Sequence, residues 1–170
     1  GERFLGEPRA LVIAPTRAEA ETTLADMFAG DLPGAQVVIE EFLSGEEASF
    51  FALTDGTTVI PFGTAQDHKQ VGEGDVGANT GGMGAYSPAP VVTPQLHRRI
   101  MDEVMRPTVD GLAAEGTPYV GFLYAGLMIA DDGTPNVLEF NCRFGDPETQ
   151  PIMMRLKSDL PALCLAAIEG

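Results

Sequence analysis

Glu139 and Asn141 stand two residues apart in Val137-Leu138-Glu139-Phe140-Asn141, a stretch that alternates apolar and polar residues. Such alternation reads as a β-strand, in which residues two apart share a face. The spacing therefore predicts that Glu139 and Asn141 project side by side while Leu138 and Phe140 point into a core. A carboxylate and an amide so placed suit a hard cation such as Mg2+, which takes one or two protein oxygens together with substrate phosphates. Arg143 follows just past the strand end, where its guanidinium can face an anion. Asp146 and Glu148 are either loop charges or an N-cap for the segment that begins at Pro147. A half-buried strand with a polar turn would explain an isolated Glu-x-Asn as well, so the rest of the chain has to decide.

Two further constellations carry chemistry. Gln66-Asp67-His68-Lys69 is followed by Asn79-Thr80-Gly81-Gly82-Met83-Gly84-Ala85-Tyr86-Ser87-Pro88. Glycines let successive backbone N–H groups converge on an anion and let the chain approach it closely. The chain has only two lysines, Lys69 and Lys157, so Lys69 in this polar loop is conspicuous as a point charge for phosphate. No Gly-Lys-Ser/Thr follows, so this is not a Walker A loop. The other constellation is Val38-Ile39-Glu40-Glu41-Phe42-Leu43-Ser44-Gly45-Glu46-Glu47-Ala48-Ser49. It reads either as a strand ending in a solvated acidic turn or as a purine site. In the second reading, apolar walls and free backbone groups hold the base edge, and a carboxylate a few residues on accepts from ribose hydroxyls.

The elements that must position these groups follow from pattern. Residues 10–14 read as a short buried strand. Thr16 and Glu19 have capping-box spacing ahead of a helix whose stripe is Leu24, Met27 and Phe28, ending at Gly30. After a turn-rich connection, strands are expected over Val37–Phe42 and Glu47–Leu53. Asp55-Gly56 is a hairpin turn leading into a strand over Thr57–Pro61. Gln66–Pro90 shows hardly any apolar period, and a loop of that length in a compact domain is usually functional or disordered. Thr93-Pro94 supplies an N-cap and N1 proline for a helix that buries Leu96, Ile100, Met101, Val104 and Met105. Pro107 should break or kink that helix. Strands over Phe122–Ile129 and Asn136–Asn141 are joined by an Asp131-Asp132-Gly133 turn, and a helix from about Ser158 to Ile168 closes the chain. The order predicts an α+β fold with a mostly antiparallel sheet rather than a run of βαβ units.

Composition removes several alternatives. The 170 residues are 44% hydrophobic, enough for a core. A formal charge of -15 repels nucleic acid and anionic lipid, so neither is an expected partner. Two histidines at unrelated positions disfavour a zinc site. Cys142, expected on the core side of its strand, and Cys164, in an apolar helix, make no disulfide framework. With no apolar run of spanning length and no signal peptide, a cytoplasmic location is the default expectation.

Taken together, Ile39–Leu43, Gly45–Phe50, Gln66–Lys69, Asn79–Pro90, Gly121–Met128 and Glu139–Pro151 resemble, in one order, the ATP-grasp region of the phosphoribosylamine–glycine ligases (glycinamide ribonucleotide synthetases). The resemblance implies the carboxy-terminal half of an ATP-grasp fold over 37–170 and part of its small lid subdomain over 1–36. It implies ATP-dependent ligation of glycine to 5-phosphoribosylamine through a glycyl phosphate, in purine biosynthesis, with Mg2+ or Mn2+. By that resemblance Glu139 and Asn141 bind the metal, Glu41, Phe42 and Leu43 meet adenine, and Glu47 lies near the ribose. Asp67, Lys69 and Arg143 are catalytic, and Asn79, Thr80, Gly81, Gly82, Met83 and Gly84 face substrate. A monomer is the expected state. Gly1–Arg9 contains no lysine where the family places a lysine-bearing lid loop. A fragment or truncated relative is therefore expected, with poor ATP binding by these residues alone. The alternatives are a non-catalytic nucleotide-binding remnant and another ATP-grasp carboxylate–amine ligase.

Overall fold

In the computed structural model, which describes residues 12–29, 37–74, 76–80 and 82–170, the chain divides into two compact units, Gly1–Phe42 and Leu43–Gly170. The first unit holds helix α1 (Arg17–Ala29). The Thr16 hydroxyl accepts a hydrogen bond from the Glu19 N–H at 3.3 Å, as the capping spacing predicts. None of its residues is buried: Leu24 and Met27 are partly covered and Phe28 is exposed. The strand expected over 10–14 is not found at 12–14, where Val12 and Ile13 are exposed, and positions 10 and 11 lie outside the described residues. Gly30, the expected helix stop, and the turn-rich connection to Gln36 also lie outside them. The strand expected over Val37–Phe42 is a correction as well. Those residues carry no ladder, and Val38, Ile39 and Phe42 are exposed. Apolar alternation makes a strand only where a neighbour takes its N–H and C=O groups, and none does so among the described residues.

The second unit is built around β1 (Glu46–Thr54), which is buried from Ala48 onward. It pairs antiparallel with β2 (Val59–Asp67) on one side and with β6 (Gly121–Ile129) on the other. The β1–β2 turn is held by Asp55, whose Oδ1 accepts from Thr57 N at 2.8 Å and Thr58 N at 2.6 Å. Those backbone bonds pull its carboxyl down to about 2. β7 (Pro135–Asn141) returns antiparallel to β6 through the expected Asp-Asp-Gly turn, where Asp132 accepts from Thr134 N at 2.9 Å. With β5 (Ala85–Tyr86) at one edge, the main sheet runs β5-β2-β1-β6-β7.

Gln66–Pro90 is more ordered than its sequence predicts. β2 extends through Asp67, β3 (Gln70–Gly72) and β4 (Val76–Asn79) form a small hairpin, and β5 (Ala85–Tyr86) pairs with the end of β2. Strands of two to four residues leave no period to count, so pattern could not reveal them.

One face of the sheet is covered by α2 (Pro94–Ile100), a π-helical turn (Met101–Met105) and α3 (Arg106–Ala114). Thr93 caps α2 by accepting from Leu96 N at 3.2 Å. Leu96, Ile100, Met101, Val104, Met105 and Val109 are buried with Ala48, Phe50, Ala52, Leu123, Ala125 and Leu127. Each large side chain so buried contributes about 1.5–3 kcal/mol. Pro107, expected to break or kink the helix, follows an interruption of the regular α-helical run rather than its end. The backbone widens into the π turn, with Arg106 N–H bonded to Met101 O, and helical structure resumes in α3. A widened turn relieves the clash of a proline ring with the carbonyl four residues back.

The opposite face carries a smaller cluster of Phe51, Ala65, Tyr124 and Ile152, flanked by Phe62 and Phe144. Ile152 comes from α4 (Thr149–Arg155), a helix absent from the sequence reading, and α5 (Leu160–Glu169) is the expected final helix.

Candidate functional site

Register decides which side chains share the second face. Phe51 pairs with Tyr124 and Gly63, Ser49 with Gly126 and Ala65, and Glu47 with Met128. Across the next ladder Gly126 pairs with Glu139 and Tyr124 with Asn141. Directly paired residues point the same way, so Glu47, Ser49, Tyr124, Glu139 and Asn141 all project from one face. Asp67, two residues beyond Ala65 in β2, continues on it.

The expected pairing of Glu139 and Asn141 is present: Asn141 Nδ2 donates to Glu139 Oε1 at 3.1 Å. Gly126 lies beneath them, and a Cβ there would meet Glu139 Cγ at 3.2 Å and the Tyr124 hydroxyl at 3.3 Å. Both groups are hard oxygen donors, and the pair is open to solvent. Among the described residues no group of three or more His, Cys, Asp or Glu side chains is placed to hold a metal. Any cation here would rest on this Glu–Asn pair and on the oxygens of its ligands.

Leu138 and Phe140 do not point into a core. Phe140 pairs with buried Ala125 and so faces the helix-covered side, yet it is 42% exposed. β7 is the sheet's edge, and the ladder slips between Gly126 and Leu127, leaving Leu138 as an extra residue. Cys142, expected on the core side, lies in the bend just past β7 and is exposed, and Cys164 is partly buried.

Lys69 reaches back to β1, where its ammonium lies 3.1 Å from Glu47 Oε2. Burial works against its charge, but Glu47, helped by Tyr124 and Glu139, outweighs this and the Lys69 pKa is raised. The loop that follows is tied to the end of β2 by Met83 N→His68 O at 2.7 Å, His68 N→Gly84 O at 2.9 Å and Thr80 N→Lys69 O at 2.7 Å. Gly82, at φ +129°, is pressed into a corner where a Cβ would meet Pro147 Cδ at 2.6 Å and Asp67 Oδ1 at 2.9 Å. That Asp67 oxygen is buried and has no hydrogen-bond partner among the described residues. Its carboxyl is pushed up to about 6, first by burial and then by the charge of Glu148, against the pull of Lys69. Thr80 hydrogen-bonds within the loop, and Met83 is exposed. Gly81 lies outside the described residues, and of Asn79 only its backbone place in β4 is described.

Arg143 is exposed, and its Nη1 donates to the neighbouring Phe144 carbonyl at 2.8 Å. Phe144 turns inward, with ring centroids 4.4 Å from Phe122, 5.4 Å from Phe62 and 5.5 Å from Phe51. Glu148 stands at the N-cap position of α4, as one reading of its place expects, but its side chain makes no capping bond. It is 4% exposed and accepts from Ser49 Oγ at 2.9 Å, and Ser49 in turn lies 3.3 Å from the Tyr124 hydroxyl. Sequence reasoning missed Ser49, Tyr124, Gly126 and the buried role of Glu148. The period-two spacing Glu47-Ser49-Phe51 was the one available signal. Glu41 and Phe42, both exposed, close the first unit, and Leu43 opens the second.

Three comparisons bear on this arrangement. The family described as phosphoribosylglycinamide synthetase, ATP-grasp (A) domain, matches residues 4–149. Phosphoribosylamine–glycine ligase of Vibrio vulnificus strain YJ016 is 64% identical over 168 residues, covering 97% of this chain and 39% of that protein. The protein of the same name from Allochromatium vinosum is 63% identical over 169 residues, covering 98% and 40%. The crystal structure of phosphoribosylamine–glycine ligase from Thermotoga maritima superposes with a TM-score of 0.76 at 35% identity, over 89% of this chain and 39% of that one. The chain thus spans about two fifths of the length of these relatives. Its α+β architecture and antiparallel sheet are those of the ATP-grasp fold. From the family match and the relatives together, the chain belongs to the phosphoribosylglycinamide synthetase ATP-grasp (A) domain family.

Proposed function

We propose that this chain is part of an ATP-dependent carbon–nitrogen ligase that joins glycine to 5-phosphoribosylamine in cytoplasmic purine biosynthesis. The observation that carries the reading is the Glu139–Asn141 pair, hydrogen-bonded on the sheet face that also holds Glu47 and Lys69. In the first step a glycine carboxylate oxygen attacks the γ-phosphorus of ATP, the bond to the β-phosphate oxygen breaks, and ADP leaves. In the second, the phosphoribosylamine nitrogen attacks the carbonyl carbon of glycyl phosphate. A C–N bond forms, the C–O bond to phosphate breaks, inorganic phosphate leaves, and the nitrogen gives up a proton.

Such chemistry asks the protein mainly for position, charge and exclusion of water. Mg2+ or Mn2+, held by Glu139 and Asn141, would supply positive charge at the ATP phosphates. Lys69 and Arg143 add cationic groups for anionic substrate atoms, and the glycines of the Asn79–Gly84 loop let the backbone approach substrate closely. Glu41, Phe42 and Leu43 are assigned to adenine and Glu47 to the ribose. Residues 1–36 are assigned to the lid subdomain and 37–170 to the carboxy-terminal subdomain.

The test uses the complete protein that contains this segment. Phosphate release from ATP should require both glycine and 5-phosphoribosylamine, and hydroxylamine should trap glycyl phosphate when the amine is withheld. Phosphate release that is indifferent to glycine, or supported equally by unrelated carboxylates, would overturn the assignment.

A further inference from the structure

The turn that carries Arg143 is anchored at two points on the site face. Phe144 inserts its ring among Phe51, Phe62 and Phe122. Four residues on, Glu148 reaches across to β1, and the Ser49 hydroxyl donates to it in a buried bond spanning 99 positions of sequence. The turn is shaped for this: a Cβ on Gly145 would stand 2.2 Å from Glu148 Oε2 and 2.6 Å from its carboxyl carbon. Only a glycine lets the carboxylate fold back over the turn. The same turn supports the glycine loop, since Pro147 Cδ occupies the place a side chain at Gly82 would need. Asp67, beneath Gly82, feels the Glu148 charge directly. Glu148 therefore meets β1 and folds over the Arg143 turn, and that turn's Pro147 walls the Gly82 loop.

We propose that Ser49 and Glu148 are positioning residues, whose buried hydrogen bond fixes the Arg143 turn in register with the Gly82 loop so that both can close on one anionic substrate. This rests on the ligase reading given above, because that reading makes Arg143 and the loop substrate-facing. Neither Ser49 nor Glu148 needs to touch substrate. Ser49 lies at the floor of the face, 4% exposed, and Glu148 is equally covered. Their contribution is orientation, and in a reaction dominated by positioning a displacement on the order of 1 Å can lower the rate by about a hundredfold.

The experiment is done in the complete protein with Ser49→Ala, Glu148→Gln, and Val109→Ala as a stability control on the opposite sheet face. Carboxyl NMR of Asp67 gives a readout independent of catalysis. Burial raises the Asp67 pKa first and the Glu148 charge adds to it, so Glu148→Gln should move the Asp67 titration below that of the unmodified protein, while Val109→Ala leaves it in place. Kinetically, Ser49→Ala should lower kcat/KM for glycine or phosphoribosylamine about tenfold or more with the KM for ATP unchanged, and Ser49→Thr should restore most of it. Val109→Ala should lower thermal stability without that split. An unmoved Asp67 titration in Glu148→Gln would overturn the contact between turn and loop. Unchanged kcat/KM in Ser49→Ala would overturn the positioning role. An unmodified protein with no glycine-dependent phosphate release would overturn the ligase reading instead, leaving the titration result to judge the contact.

Discussion

The ammonium of Lys69 stands 3.1 Å from the carboxylate of Glu47, joining the polar loop to the sheet's central strand. Both side chains keep more than a third of their surface open to solvent, so the pair contributes at most about 1 kcal/mol to stability. The Lys69 pKa is raised in the folded protein, because Glu47 outweighs the burial that opposes its charge. The stabilisation is therefore fully present below the unfolded lysine pKa and is lost only as pH rises through the higher folded value. Glu47→Gln should shift the urea midpoint slightly at pH 7, and that shift should vanish once the pH has risen through the folded lysine's titration. A loss of several kcal/mol at pH 7 would mean the pair is dry and structural.

Asp67 gives a dependence of the same sign, at a pH easier to reach. Its folded pKa of about 6 lies above the ordinary 3.8, so between those values the folded state holds more protons than the unfolded. Stability must then fall as pH rises from about 4 to about 6 and level off above. Asp67→Asn keeps the shape and removes the titration, so that decline should disappear from its pH–stability curve. An identical slope in the variant would assign the effect to another group.

Two glycines separate conformational strain from collision. Gly45 has φ +150°, and a Cβ there would lie 2.1 Å from the Ile129 carbonyl oxygen, which is backbone and cannot swing aside. Gly133 has φ +79° with nothing within 4 Å of its would-be Cβ. Gly133→Ala should cost only the strain, about 1 kcal/mol, whereas Gly45→Ala should cost about 3 kcal/mol or more because β1 must pull away from β6 where their pairing begins. Chemical denaturation of both variants gives the ranking directly.

The sequence announced this architecture unevenly, for physical reasons. Asp55-Gly56, Asp131–Gly133 and Thr93-Pro94 act through local hydrogen bonds and backbone preference, and each stands where its residues predict. The strand proposed for Val37–Phe42 depended on a partner that a single segment cannot specify. The exposure of Leu138 and Phe140 followed from an edge position and a bulge, both properties of the assembled sheet. Within the site, Glu139 with Asn141 was legible because period two is local. Glu148 with Ser49 was not, because their contact spans the whole unit.

The last prediction concerns the pair that opened the reading. Asn141 donates to Glu139 across one strand face, and Gly126 beneath leaves both side chains room. In the complete protein, Glu139→Ala removes a charged oxygen donor and should weaken Mn2+ binding in the presence of ATP about tenfold or more, with phosphoryl transfer falling in parallel. Asn141→Ala should have a smaller effect, since the lost donor is neutral. Gly126→Ala tests the same geometry from below. Its new methyl would stand 3.2 Å from Glu139 Cγ and 3.3 Å from the Tyr124 hydroxyl, so one of them must give way. If Glu139 moves, the metal requirement rises while the fold stays intact. Electron paramagnetic resonance of bound Mn2+ reports this without relying on turnover. Unaltered Mn2+ affinity in Glu139→Ala would remove the carboxylate from the metal site and, with it, the central support for phosphoryl transfer at this face.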